Sequence, residues 1–309
     1  MNGHERMKAL MAGKPTDQIP HFEMVFQIAE EAFGLNWPDH LEMYHSTGAE
    51  WDGFKKRYFE IWDKIIDIYH WDAVPINWWY HEGELIREAR ERYENKAMVF
   101  DYNGNGTFWM PLGGEALWDF SMRLVDDRPG LHEEAERKLA ESNELARKQV
   151  ESGAEFIIVN SDYAMNDQPF ISPDDFNELV TPYLKRNVDY IHSLGVKAIL
   201  HSDGDLRQIL DDIVGAGIDG YQSIDPQGNM DIKDVKERYG DRLILMGNVK
   251  TALLQDVNDE EIRESARYCL THAKPGGGYI FSTSNCLFAG MPLESYHIML
   301  DEFDKHKMY

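Results

Sequence analysis

The sequence predicts an α/β fold, a (β/α)8 TIM barrel, on three observations. Apolar or aromatic runs of strand length recur between helical patterns, and from Phe156 onward each is followed by an amphipathic segment, the alternation of a parallel sheet. A chain of 309 residues with 43% hydrophobic content can bury one large core. No low-complexity tract, flexible linker or short repeat interrupts it, so residues 1–309 read as a single domain.

The elements follow in order. Strands are expected at 19–26 and 73–80. Residues 96–110, KAMVFDYNGNGTFWM, set Asn103-Gly104-Asn105-Gly106 between two aromatic-flanked runs and read as a β-hairpin inserted in the N-terminal half. Further strands are expected at 156–163, 196–203, 220–225, 243–249 and 278–285, giving seven or eight in the barrel. Between them, Ser172-Pro173-Asp174-Asp175 supplies a cap, a proline for the first helical position and acidic residues for the first turn. Phe176, Leu179, Val180, Tyr183 and Leu184 then form one apolar face, which Pro182 should kink or divide. Ile262, Ala266, Cys269, Leu270 and Ala273 make a second buried stripe, so Cys269 reads as core.

Composition narrows the function. Lys and Arg total 31 against 55 Asp and Glu, a formal charge of −24. Such a chain repels polyphosphate, which argues against nucleic acid as a partner and against a polyanionic small molecule without a local arginine cluster. No run reaches the roughly 18 apolar residues of a membrane span. The start, MNGHERMKAL, is too polar for a signal peptide, so a cytoplasmic location without membrane association is expected. The two cysteines, Cys269 and Cys286, are too few for a disulfide framework.

In a strand-helix barrel the C-terminal strand ends surround the ligand, so polar residues there converge from distant parts of the chain. The expected strand ends carry Asp162 and Tyr163, then His201 and Asp203, then Gln222, Asn248 and finally Cys286. The first two candidate strands add Glu23, then Trp78, Trp79 and Tyr80, aromatics suited to wall an apolar pocket. Asp162, Asp203 and His201 are the acid-base candidates. Glu23, Trp78, Trp79, Tyr80, Tyr163, Gln222 and Asn248 are the substrate-binding candidates. His201, Asp203 and Cys286 together offer imidazole, carboxylate and thiolate to a divalent metal, leaving a position open for substrate. Plainer readings stay open: a histidine that is only hydrogen-bonded, aromatics that are ordinary core, an aspartate that caps the next helix, as Asp205 should before Leu206.

Several phrases carry a resemblance. They are Ile171-Ser172-Pro173-Asp174-Asp175-Phe176, Thr181-Pro182-Tyr183-Leu184-Lys185, His201-Ser202-Asp203-Gly204, Met246-Gly247-Asn248-Val249 and Gly276-Gly277-Gly278-Tyr279-Ile280-Phe281. With Arg6-Met7-Lys8-Ala9-Leu10 and Ile19-Pro20 at the start, the sequence resembles the uroporphyrinogen decarboxylase superfamily, which also holds cobalamin-linked methyltransferases. The resemblance implies a single barrel with its site at the C-terminal rim, and possibilities that include a homodimer.

Within that superfamily the decarboxylase resembles a cleft armed with arginines just after the first strand, to hold a polycarboxylate tetrapyrrole. Here the segment is His21-Phe22-Glu23-Met24-Val25-Phe26-Gln27-Ile28-Ala29, with no arginine and with a carboxylate instead. The methyltransferase branch is the closer resemblance. Its zinc-dependent members carry His-x-Cys on the fourth-strand segment and a second cysteine near the chain's end. His201 matches the histidine, Asp203 stands where the first cysteine would be, and Cys286 lies close to the second. The resemblance therefore implies Zn²⁺, or a harder divalent ion that an oxygen ligand tolerates. It implies demethylation: transfer of a methyl group between a small methylated substrate and cobalamin supplied by a corrinoid protein partner. Behind this stand a tetrapyrrole decarboxylase and then a non-catalytic small-molecule binding barrel.

Overall fold

The computed structural model describes residues 1–104 and 107–309. Among the described residues, seven strands form one sheet in sequential order, every pairing parallel. They are β1 Ala73–Pro75, β2 Met98–Gly104, β3 Phe156–Asn160, β4 Lys197–Ser202, β5 Gly220–Ser223, β6 Ile244–Val249 and β7 Tyr279–Thr283. The run at 19–26 forms no strand of its own, yet it lies between the sheet's two edges. His21 bridges Phe281 in parallel, Phe281 N–H donates to Pro20 O at 2.9 Å, and Asp72 N–H donates to His21 O at 2.9 Å. This segment thus occupies the eighth place of a barrel-like ring.

The expected hairpin at 96–110 is not found among the described residues. Its first arm is β2, which pairs parallel with both β1 and β3, and residues 107–110 form no strand. The expected turn falls partly on 105 and 106, outside the described residues. Packing explains the difference. Phe100 stacks on Phe156 with centroids 4.6 Å apart and meets Phe22 at 5.2 Å, all three fully buried, so the arm belongs to the barrel's interior. The Asn-Gly pattern marks the end of a barrel strand.

Helices cover the sheet as the strand-helix alternation requires. Ser172 caps Pro173–Leu179, its Oγ accepting from Asp175 N at 3.2 Å, and Pro182 opens a separate helix, Thr181–Ser193. Cys269 is buried on Asp259–Ala273, as its stripe predicts. Asp205 accepts from Arg207 N at 3.2 Å and closes a turn, while the next helix begins only at Leu210. Among the described residues, no helix is long and apolar enough to cross a membrane.

Candidate active site at the barrel rim

Parallel register places the site. Asn160 pairs with His201 and His201 with Gln222, so β4 and β5 project these two side chains next to each other at the strands' C-terminal ends. His201 Nδ1 is hydrogen-bonded to Gln222 Oε1, and Gln222 Nε2 donates to Ser284 O at 3.3 Å. That second bond fixes which end of the amide is oxygen. His201 therefore carries its proton on Nδ1, and Nε2 presents a lone pair when the ring is neutral.

Nε2 faces Asp162, whose Oδ1 is 3.5 Å away. Asp162 is held in turn by the backbone N–H of Asp203, 3.1 Å from the same oxygen. Asp203 accepts from Ser223 Oγ at 2.5 Å on one oxygen and from Asn285 Nδ2 on the other. Donor atoms of Asp162, His201 and Asp203 all come within 4.8 Å of one another, a carboxylate–imidazole–carboxylate set able to hold a divalent cation. The orienting bond on the far ring nitrogen is the one a metal-ligating histidine makes.

Local backbone supports this geometry. Gly204 has φ 85°, and a Cβ there would lie 2.4 Å from Ala164 O, so only glycine lets the loop after β3 close over the end of β4. Ser223 is held at φ 99°, a conformation uncommon for serine, and from it delivers its hydroxyl to Asp203.

Burial pushes the Asp203 carboxyl up, with His201 and Ser223 opposing and Asp162 and Asp225 reinforcing. A cleft of about 670 Å³ opens beside the cluster, lined by Met110, Asp162, Met165, Asp167 and Asp203 among others. No arginine or lysine is among its described lining residues.

The other expected residues are distributed differently. Cys286 stands three residues beyond β7 and outside the close group of donors, while its neighbour Asn285 is the residue that reaches Asp203. Its thiol is pushed up to about 12 by burial, with Asp203, Glu23 and Asp162 adding to the effect. Glu23 is fully buried and accepts from Thr283 N at 2.9 Å and Thr283 Oγ1 at 2.6 Å, tying the closing segment to β7. Burial raises its carboxyl to about 8 against those bonds. Asn248 is also buried, donating to Ile224 O at 2.7 Å and accepting from Cys269 Sγ at 3.2 Å, a framework role. Tyr163 is fully buried against Phe176. Trp78, Trp79 and Tyr80 are not among the cleft's lining residues: Tyr80 is hydrogen-bonded to His40, Trp78 lies under Lys148, and Trp79 is exposed.

Two participants escape sequence reasoning. Ser223 and Asn285 are small polar residues without a distinguishing pattern, and only the register of β4 with β5 and the turn after β7 bring them to Asp203.

A parallel strand-helix ring with acid-base groups gathered at its C-terminal rim defines the class: an α/β barrel of enzyme type. The chain belongs to the uroporphyrinogen decarboxylase (URO-D) family, which residues 120–306 match. It is 23% identical over 190 residues to the uroporphyrinogen decarboxylase of Chlorobaculum tepidum, covering 60% of this chain and 52% of that one. It is 22% identical over 238 residues to that of Photobacterium profundum, covering 71% and 64%. The chain thus spans about half the length of the first of these relatives. A methyltransferase from Methanosarcina mazei has the same fold, with TM-score 0.75, 17% identity and 99% of each chain covered.

Proposed function

We propose that this chain is a methyltransferase that moves a methyl group between a small methylated compound and a corrinoid carried by a separate protein. The observation that carries the reading is the rim cleft itself, built on Asp162, His201 and Asp203 and lined by acidic and apolar side chains. Substrate carboxylates brought there would meet the like charge of Asp162, Asp167 and Asp203 without a cationic partner, which is unfavourable. A neutral methyl ether or similar group has no such penalty. The end-to-end likeness of fold to a methyltransferase is consistent with this choice.

The roles follow from the geometry. Asp162 is 44% exposed on the cleft and meets the substrate, while Asp203 stands behind it, locked by Ser223 and Asn285. His201 Nε2 and Asp162, 3.5 Å apart, are placed to pass a proton toward the cleft. A corrinoid presented to the cleft would supply a cobalt(I) nucleophile for the methyl carbon; the electron pair of the breaking carbon–oxygen bond would stay on the oxygen, and Asp162 would deliver a proton to it. His201, Asp162 and Asp203 are also the residues that would hold a zinc or similar ion, which would supply Lewis-acid polarisation of the same oxygen.

The family match favours a second reading, decarboxylation of a tetrapyrrole. It requires cations that neither the cleft nor residues 21–29 provide. The two are separated by assaying methyl transfer from methoxylated aromatic compounds to cob(I)alamin, beside loss of carboxylate from uroporphyrinogen. Asp162→Asn should lower kcat for methyl transfer by about 10²–10⁴-fold, the usual worth of a positioned acid. Unchanged turnover would remove Asp162 from the reaction.

A further inference from the structure

The helix Gly114–Asp126 faces the core with Phe120 and the partly buried Leu124, yet it also carries large apolar residues on its exposed side. Its one buried residue is Phe120, which packs on Phe108 and Phe170 with centroids 5.2 and 5.8 Å away. Trp118, Met122 and Val125 recur at the spacing of a single helical stripe, and they are 71%, 45% and 80% exposed. Leu112, two residues before the helix, is also 80% exposed. An exposed apolar stripe containing tryptophan and methionine is the composition of an interface centre.

The patch adjoins the cleft. Met110 N–H donates to Asp162 O at 2.7 Å, and Met110 lines the cleft with Asp162 and Asp203, two residues before Leu112. Phe120 also packs on Phe170, in the loop after β3 that carries Asp162, so a body seated on this helix would stand beside the cleft. The charges around it select the occupant. Glu115, Asp119 and Asp126 are exposed on the helix, whereas its arginine, Arg123, pairs with Glu134 at 2.7 Å and lies 3.6 Å from Asp127. A second copy of a chain with charge −24 would add acid to acid.

We propose that Leu112, Trp118, Met122 and Val125 form the docking surface for the protein that carries the corrinoid, and that this partner presents an apolar patch edged by basic residues. The identity of the partner rests on the methyl-transfer reading above; the surface does not.

The test uses the full chain, a purified corrinoid protein and the variants Trp118→Lys and Val125→Lys, whose exposed positions are first checked for fold by circular dichroism. Calorimetry should give a dissociation constant raised about tenfold or more by each variant, as for loss of an interface anchor. Affinity for the wild type should fall as salt is added. In turnover, KM for the corrinoid protein should rise with kcat retained at saturation. Equal affinity of wild type and variants, or no binding by the wild type, overturns the proposal. So does a wild-type dimer in sedimentation that either variant dissociates, because the occupant is then a second copy. Failure of the catalytic reading looks different: the wild type binds the corrinoid protein through this patch but transfers no methyl group even to free cob(I)alamin.

Discussion

Replacing Gln222 with methionine isolates the bond that sets the state of His201. The two side chains have similar length and volume, so the fully buried site stays filled while the amide is removed. Two groups then lose their partners: His201 Nδ1–H, which was bonded to Gln222 Oε1, and Ser284 O, which accepted from Gln222 Nε2 at 3.3 Å. Each buried polar group left unpaired costs about 1–3 kcal/mol, so Gln222→Met should destabilise the fold by about 2–6 kcal/mol. Urea unfolding at pH 7 reads this as a lower midpoint at unchanged slope. The functional effect should be separate and larger than the loss of folded protein explains. With the ring free to rotate and change tautomer, binding of a divalent ion or turnover should fall by about 10–100-fold, the usual worth of an orienting partner. A variant as stable as wild type, with unchanged turnover and metal affinity, would refute the claim that this bond poises Nε2 toward Asp162.

Other outcomes follow from the same structure. In zinc titrations, His201→Ala and Asp162→Ala should lose binding while Cys286→Ala keeps it; loss in Cys286→Ala would restore the thiol to the ligand set. Gly204→Ala should lower stability by about 1–3 kcal/mol, as a side chain forced into a left-handed conformation against Ala164 O, and should reduce turnover by displacing the loop that carries Asp162; wild-type stability would show that the loop yields freely. Burial lowers His21 to about 4, below its ordinary 6.5, with its ring held between Phe281 O and Tyr296 Oη. Its stabilisation is therefore complete above pH 6.5 and is lost as pH falls toward 4, a total of about 3 kcal/mol at 1.36 kcal/mol per unit. His21→Phe should flatten the stability profile across that window, and an unchanged slope would place the acid sensitivity elsewhere.

Much of the barrel's second half is legible in the sequence because each apolar run there is buried in a parallel sheet and ends in polar residues. β3 through β7 fall inside the runs that predict them, and Asp162, His201, Asp203 and Gln222 come together at the rim from strand position alone. The N-terminal half is less legible because its signals are ambiguous. Asn103 and Gly104 have turn chemistry, yet Phe100 and Tyr102 are committed to the interior and make 98–104 a barrel strand. Trp78, Trp79 and Tyr80 look like a pocket wall, but β1 ends at Pro75 and the chain leaves the sheet before them, with Trp78 N–H bonded to Asp101 at 2.9 Å. Cys286 draws attention by its chemistry, whereas Asn285 makes the contact; one residue of register beyond a strand cannot be read from composition.

The most direct measurement of the central claim is spectroscopic: conversion of cob(I)alamin to methylcobalamin by the purified chain across a panel of methoxylated aromatic compounds, run beside uroporphyrinogen decarboxylation. The proposed function predicts methyl transfer with at least one methyl ether, lost in Asp162→Asn and His201→Ala, and no decarboxylation. Decarboxylation of uroporphyrinogen without methyl transfer would contradict it, and would mean that this acidic rim holds a polycarboxylate after all.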